Sequence, residues 1–172
     1  MDMGEKIMVT ETQAHTEKEN IINSMKSIVI STVDDENNPN VSYAPSVVDE
    51  GNFYIYISKL AKHTSNLIDN PKISFMVIED ETISDNIFGR KRFTINASVS
   101  QVERDTDKWN TKMNLMENKF GETITYLKNM KDFHLFEMKP NTGLLVSGFG
   151  KAFNFTGEGL NDIVHLNEKG HK

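Results

Sequence analysis

Three consecutive basic residues, Arg90, Lys91 and Arg92, stand out in a chain whose formal net charge is −6. If they begin a β-strand, the side chains of Arg90 and Arg92 point to one face and that of Lys91 to the other. Two guanidinium groups on one face can bind a phosphate or a carboxylate through paired hydrogen bonds. A solvated strand end would explain the same run, but its position after the acidic loop 80–89 favours an anion site.

The segment KHTSN (62–66) holds a second group of polar side chains, at the predicted start of a short helix. His63, together with the hydroxyls of Thr64 and Ser65 and the free backbone amides, could bind an anion there. Alternatively, Thr64 or Ser65 simply caps the helix. The sequence favours this second interpretation.

The histidines form a third set of candidates: His15, His63, His134, His165 and His171. Their spacing lacks the HExxH pattern, so a zinc-hydrolase site is not expected. We interpret His15 as a solvated helix residue. A lone histidine can ligate haem iron, and a carboxylate bonded to its other nitrogen makes it more basic. His171 lies in the terminal segment NEKGHK, for which a frayed end is the simplest interpretation.

Two further features have ordinary structural interpretations. Asp132 directly precedes a predicted strand, where a turn or cap role suffices. The glycine-rich segment SGFGKAF (147–153) lacks the spacing of a phosphate-binding P-loop. Gly148 and Gly150 more simply mark a bulge or a barrel corner.

The hydrophobic pattern predicts an α+β domain in which β-strands dominate. We predict an N-terminal helix at 10–27, a short helix within 59–71, and a helical insertion at 106–130. Within that insertion, Trp109, Met113, Met116 and Phe120 share one helical face that ends at Gly121. The predicted strands are 27–34, 41–48, 53–58, 72–79, 90–103, 133–140 and 143–155, the last two joined by a turn at 141–143. They predict a six- or seven-stranded antiparallel β-barrel with covering helices.

Composition narrows the classes of function. The 172 residues predict one domain, 1–172, with flexible ends at 1–9 and 157–172. The absence of cysteine excludes disulfides, iron–sulfur clusters and thiol nucleophiles, and is consistent with a cytoplasmic protein. The negative charge disfavours nucleic acid as a partner. No apolar run approaches the roughly 20 residues that span a bilayer, and no signal peptide is evident, so no membrane partner is expected.

Several segments, in order, resemble one known family. They are NPNVSYAP, the run from ISKLAKH to IEDE, RKRFT, DFHLFEMKPNTGLLVSGFGKAF and the terminal VHLNEKGHK. Together they are similar to the HutZ/HugZ haem-utilisation family and cover nearly the whole chain. The resemblance implies the split β-barrel fold of the pyridoxamine 5′-phosphate oxidase-like FMN-binding proteins. It also implies a homodimer with two sites at the subunit interface, which binds haem rather than FMN and degrades it oxidatively.

The resemblance implies a role for individual residues. His171 matches the axial ligand of the haem iron, and Asp132 matches an acidic residue that hydrogen-bonds this histidine from the other subunit. Arg92 matches an arginine on the oxygen-binding side of haem. His63 matches a histidine near the site. Ser27 stands where a threonine is typical, near the subunit contact.

Three functions remain open at this point. The first is a haem-degrading oxygenase that takes electrons from an external donor. The second is an FMN-dependent oxidoreductase of the wider split-barrel group, in which Arg90, Lys91, Arg92 and the segment 62–66 bind the flavin phosphate. The third is a haem carrier or store without catalytic activity.

Overall fold

The computed structural model describes residues 3–165, with side chains described from residue 11 to residue 164. In this part of the chain the α-helices are Met3–Ser24 (α1), Lys62–Asp69 (α2), Asp107–Phe120 (α3) and Glu122–Leu127 (α4). The strands are Ser27–Val33 (β1), Pro39–Asp49 (β2), Asn52–Ser58 (β3), Lys72–Ile78 (β4), Arg92–Val102 (β5), Phe133–Gly148 (β6), Lys151–Thr156 (β7) and Asp162–His165 (β8). The helix predicted at 10–27 thus begins and ends earlier, because Ser27 already starts β1.

The strands form one sheet in the order β3-β2-β1-β4-β5-β6-β7-β8, and β3 also pairs with β6. The strands β1 to β6 therefore form a closed ring of hydrogen bonds, and β7 and β8 extend from β6. Antiparallel registers place Ile28 opposite Ala44 and Ile55 opposite Phe136, and all four side chains are buried. This arrangement confirms the predicted α+β class and the six-stranded antiparallel barrel with covering helices.

The turn predicted at 141–143 is wrong, because β6 continues unbroken to Gly148. Gly143 instead allows the backbone of β6 to pass close to the ring of Phe93. A Cβ atom at this position would lie only 2.6 Å from that ring. The reversal lies at 148–150, and the register shifts between Val146 and Gly148. The bulge predicted at Gly148 is therefore confirmed, whereas Gly150 lies in the turn between β6 and β7. This turn divides the single strand predicted at 143–155 into two.

The chain divides into two compact units, which we call unit 1 and unit 2. Unit 1 contains residues 1–25, 76–95 and 141–172, and unit 2 contains residues 26–75 and 96–140. The strands β4, β5 and β6 each contribute residues to both units. We describe the two units separately.

The core of unit 2 forms where α3 packs on the barrel strands. Trp109, Met113 and Met116 lie on one face of α3 and are buried with Tyr56 and Leu135. Thr106 caps the helix by accepting a hydrogen bond from the Trp109 amide, and Gly121 ends it with φ of 71°. The predicted helix and its apolar face are thus confirmed.

In unit 1, α1 is held against β7 by aromatic contacts and a buried cation. Phe155 is fully buried and makes edge-on contacts with Phe93 at 5.7 Å and with His15 at 5.3 Å between ring centroids. The Lys18 Nζ donates a 3.0 Å hydrogen bond to the Leu160 carbonyl and lies 5.1 Å from the centre of the Phe155 ring. The interpretation of His15 as a solvated residue is therefore wrong, since its ring packs on the core of unit 1.

Candidate functional site

The basic run lies in unit 1, but only Arg92 belongs to a strand. Arg90 precedes β5, and its guanidinium is already engaged: Nε donates to the Glu79 carbonyl at 2.7 Å and Nη1 to Glu81 Oε1 at 2.9 Å. Arg90 therefore orders the acidic loop 80–89 in this structure. The pair of converging guanidinium groups expected from alternation does not form, because the strand begins two residues later.

Arg92 is the basic residue of this run whose charge stays available. Its Nη1 donates to the carbonyl oxygen of Arg90 at 2.9 Å, which turns the side chain back along the start of β5. Among the side chains described, no carboxylate lies within salt-bridge distance of it. Its remaining donors can therefore bind an anionic group, and guanidinium groups favour such planar, paired contacts.

A cavity of about 520 Å³ lies in unit 1 between α1 and the end of β6 with β7. Its lining includes Gln13 and Glu17 from α1 and Lys151 and Phe153 from β7. The Lys91 Nζ lies 3.5 Å from Glu17 Oε2, so Lys91 borders this cavity through an ion pair. The volume falls within the range of small-molecule sites in proteins, roughly 300–1,000 Å³.

The strand β8 ends beside a residue that lines this cavity. Its last residue, His165, is paired with Phe153, which lines the cavity. His171, the residue matched to the iron ligand, lies outside the described residues. Six residue steps separate His165 from His171, and extended chain spans at most about 20 Å over that distance.

Asp132 lies in unit 2, in the turn between α4 and β6. The Ser58 hydroxyl donates a 2.6 Å hydrogen bond to Asp132 Oδ2, and the Lys59 amide donates to the Asp132 carbonyl at 2.7 Å. Among the described residues, Ser58 is the side chain that binds this carboxylate. Oδ1 is thus available to a second donor, such as an imidazole N–H.

His63 lies in the first turn of α2, also in unit 2. Its Nδ1 is 2.9 Å from the Ser42 hydroxyl, and partial burial lowers the pKa of the imidazole below its ordinary value of 6.5. The capping prediction for Thr64 or Ser65 is wrong: Ala61 precedes the helix and makes no side-chain cap. The Thr64 hydroxyl instead donates to the Ser58 carbonyl at 2.6 Å.

Ser58 therefore connects two of the predicted site residues. Its hydroxyl holds Asp132, and its carbonyl oxygen holds the residue that follows His63. Sequence reasoning missed Ser58, because a serine at the end of a strand carries no signal of its own. It also missed Arg104, whose guanidinium binds several carbonyl oxygens of the turn before Asp132.

Ser27 is exposed at the start of β1, on a face of the sheet with few charges. It lies opposite Pro45, and the same face of β2 carries Val41 and Tyr43, which are 70% and 69% exposed. Val29, opposite Tyr43, completes this set. We call Val29, Val41, Tyr43 and Pro45 the β1–β2 stripe.

Within residues 3–165, no helix is long and apolar enough to cross a membrane. The described side chains also contain no group of three metal-binding residues of the His, Cys, Asp and Glu types. Of the predicted site residues, the structure thus groups Arg90, Lys91 and Arg92 in unit 1, and Asp132 and His63 around Ser58 in unit 2.

The amino-acid sequence matches known proteins over most of its length. A family model described as pyridoxamine 5′-phosphate oxidase matches residues 14–147. Heme oxygenase HutZ of Vibrio cholerae is 45% identical over 147 residues, which are 86% of this chain and 83% of that protein.

Solved structures give the same relationship. The crystal structure of Vibrio cholerae HutZ, described as a heme storage protein, superposes with a TM-score of 0.71 at 40% identity, over 73% of this chain and 89% of that one. Campylobacter jejuni ChuZ superposes with a TM-score of 0.84 at 28% identity, over 94% of this chain and 66% of that one. The chain therefore belongs to the HutZ-like haem-utilisation family, within the pyridoxamine 5′-phosphate oxidase-like split-barrel superfamily.

Proposed function

We propose that this protein binds haem and degrades it oxidatively, releasing iron. The observation that carries the proposal is the 45% identity to a heme oxygenase over 86% of the chain. The residues that the family resemblance assigns to the site have side chains suited to haem binding. They are an arginine without a carboxylate partner among the described side chains, an anchored carboxylate, and a terminal histidine.

The residues of unit 1 fit an anionic, largely apolar ligand. Haem combines a flat apolar ring with two carboxylates, so a cation near an apolar wall suits it. Arg92 offers free donors, and the cavity bordered by Lys91 places Lys151 and Phe153 side by side. Arg90 contributes through the loop that it orders, since its own donors bind Glu79 and Glu81.

His171 is the proposed ligand of the haem iron, and Asp132 of the partner subunit is the proposed hydrogen-bond acceptor of its other ring nitrogen. A carboxylate in that position fixes the tautomer and makes the imidazole a stronger donor to iron. Asp132 suits this task because Ser58 fixes one of its oxygens and leaves Oδ1 available. His63, held neutral by its lowered pKa, can line the site without adding a charge.

When bound, haem supplies the oxygen chemistry, and an external donor, whose identity the proposal leaves open, supplies the electrons. Arg92 can place its N–H groups where negative charge develops on the oxygen-binding side of the ring. Preorganised donors of this kind stabilise developing charge strongly when water is excluded.

The proposal requires a homodimer, and the β1–β2 stripe supports one. Tyr43 and Val41 expose apolar surface side by side on one face of β2. Patches of this kind on soluble proteins usually mark contact surfaces. Ser27, which the family resemblance places near the subunit contact, borders the same stripe. The proposal also includes a cytoplasmic location.

A second function has specific support, because the same relative, HutZ, is described as a heme storage protein in its crystal structure. A haem carrier needs the same iron ligand as a haem oxygenase, so the structure is compatible with either function. FMN binding remains a possibility only at the level of the superfamily.

One experiment separates these functions. Purified protein is titrated with haem and followed by its Soret absorbance; ascorbate is then added in air, with catalase present to remove free peroxide. The proposal expects a saturable Soret band that is lost after ascorbate, together with release of chelatable iron. A Soret band that persists after ascorbate would support the haem carrier. A yellow protein that shows flavin absorbance and does not bind haem would support the FMN-dependent enzyme.

A further inference from the structure

Arg104 lies between β5 and α3 in unit 2 and converges on the turn that carries Asp132. Its Nη1 donates to the Lys128 carbonyl at 2.7 Å, and its Nη2 donates to the carbonyls of Met130 at 2.7 Å and Phe133 at 3.1 Å. Three carbonyl oxygens within six residues thus point at one guanidinium. Such a cluster of acceptors requires several N–H donors in fixed positions. The arginine side chain offers five of them on one rigid, positively charged group.

Aromatic side chains fix the guanidinium from the other directions. Its carbon lies 5.1 Å from the centre of the Trp109 ring, in the range of a cation–π contact. The Tyr56 hydroxyl is a third acceptor, 2.9 Å from Nη2, so the two N–H groups of Nη2 are shared among three oxygen atoms. The same hydroxyl donates a 3.3 Å hydrogen bond to the Leu127 carbonyl. The Tyr56 ring in turn packs on Phe133 at 5.2 Å. Arg104 is therefore held by β3 and α3 and holds the turn in its place.

The charges of Arg104 and Asp132 both affect the pKa of the Tyr56 hydroxyl. Burial raises the pKa of Tyr56, the positive charge of Arg104 lowers it, and the negative charge of Asp132 raises it. The hydroxyl is thus within the field of both groups.

We propose that Arg104 is a positioning residue: it clamps the turn 128–133 and so keeps the Asp132 carboxylate aligned with Ser58. The function assigned to that carboxylate rests on the proposed haem chemistry, but the clamp itself does not. Arg104 touches neither haem nor its iron in this proposal. Its effect reaches the site only through Asp132.

The clamp can be tested without haem, because the Lys59 amide donates to the Asp132 carbonyl and reports whether the turn is docked. Hydrogen exchange of this amide is measured in the wild type and in Arg104→Gln and Arg104→Lys. Lysine keeps the charge but cannot reach three carbonyls at once. Both variants are expected to lose protection at Lys59 by about tenfold or more relative to amides of the barrel core.

Two control variants make the test specific. Lys119→Gln also removes a cation that binds a backbone carbonyl, that of Ser46, elsewhere in unit 2. Tyr56→Phe removes one acceptor of Arg104 and leaves the three carbonyl contacts. Both should keep Lys59 protection within about twofold of the wild type. If Arg104→Lys leaves Lys59 protection unchanged, or if Tyr56→Phe lowers it as much, the clamp is refuted.

The haem-loaded protein then tests the consequence for Asp132. In the ferrous form, the iron–histidine stretching frequency should fall in Arg104→Lys as it does in Asp132→Asn, but by less, because Arg104→Lys misplaces the carboxylate whose charge Asp132→Asn removes. It should be unchanged in Lys119→Gln. An Arg104→Lys frequency equal to the wild type, with a lowered frequency in Asp132→Asn, would overturn the positioning role. Failure of the wild type to bind haem would instead refute the proposed function, and the exchange result would still decide the clamp.

Discussion

Ser58 Oγ donates a 2.6 Å hydrogen bond to Asp132 Oδ2, joining the end of β3 to the turn before β6. The bond fixes the orientation of a half-buried carboxylate whose other oxygen stays available. A charge-assisted hydrogen bond of this length is among the stronger ones that a protein makes. It therefore sets the direction in which Asp132 can bind a second donor.

Ser58→Ala should impair haem degradation more than haem binding. The carboxylate then rotates freely, and we expect the rate of ascorbate-driven Soret loss to fall about threefold to tenfold, less than removal of the carboxylate itself would cause. The matched control is Ser24→Ala, whose hydroxyl binds a carbonyl at the end of α1. Equal rates in the two variants would show that the Ser58 bond does not orient a functional group.

His63 should make folding stability decrease as pH falls below about 6.5. Burial lowers its folded-state pKa below 6.5, so the unfolded chain binds the proton first as pH falls. Stability is therefore fully present above the unfolded pKa and decreases as pH falls through it. Urea midpoints at pH 7.5 and 5.5 should differ less in His63→Gln than in the wild type. The control His134→Gln should keep the wild-type difference; the same reduction in both variants would contradict the assignment.

Glu137 is 4% exposed and binds both Tyr54, through a 2.8 Å hydrogen bond, and Lys108, at 2.7 Å. Burial alone would raise the pKa of Glu137, but these two hydrogen bonds outweigh it and hold the pKa below 4.5. Its stabilising effect is thus present above that pH and lost as pH falls below it.

Tyr54→Phe should therefore reduce the free energy of unfolding by about 1–3 kcal/mol at pH 7, since a buried carboxylate oxygen loses its short hydrogen bond. The difference from the wild type should shrink at pH 3.5, because the Glu137 carboxyl of the variant, which lacks this hydrogen bond, takes up a proton at a higher pH than that of the wild type. Urea denaturation at the two pH values measures both effects. Tyr126→Phe, at an exposed position outside the β1–β2 stripe, should change stability by less than about 0.5 kcal/mol. A Tyr54→Phe difference that is the same at both pH values would contradict the assigned role of Glu137.

Tyr43→Glu should disrupt the proposed homodimer, because it places two charges in an apolar contact surface. We expect dimer dissociation to become at least about 100-fold more favourable, as like charges across an interface cost several kcal/mol. Sedimentation equilibrium measures this directly. Tyr126→Glu, at another exposed tyrosine of unit 2, is the control. Unchanged dimerisation of Tyr43→Glu would show that the subunit contact does not include the β1–β2 stripe.

Local patterns in the sequence predict much of the fold. The stripe of Trp109, Met113 and Met116 with its glycine stop predicts α3, because a helical face needs only local periodicity. The prediction of a turn at 141–143 is wrong for a non-local reason. The glycine at position 143 is needed because the Phe93 ring of another strand leaves no room for a side chain. His15 was misjudged likewise, since its partner Phe155 lies far along the chain.

The candidate site could be predicted only in part. The roles of Asp132, Arg92 and His171 came from the family resemblance. Composition and spacing favoured an anion site at Arg92 but gave Asp132 and His171 ordinary interpretations. The residues that hold Asp132, namely Ser58 and Arg104, act through backbone atoms of distant segments. No sequence pattern reports such contacts, because they form only when β3, the α4–β6 turn and the start of α3 meet.

The most direct test of the account compares His171→Ala with His165→Ala in the haem-loaded protein. Both variants remove a histidine from the C-terminal segment, but only His171 is the proposed iron ligand. His171→Ala should shift or weaken the Soret band and slow ascorbate-driven loss of haem by at least about tenfold, while His165→Ala keeps the wild-type band and rate. A wild-type Soret band and a wild-type rate in His171→Ala would contradict the account.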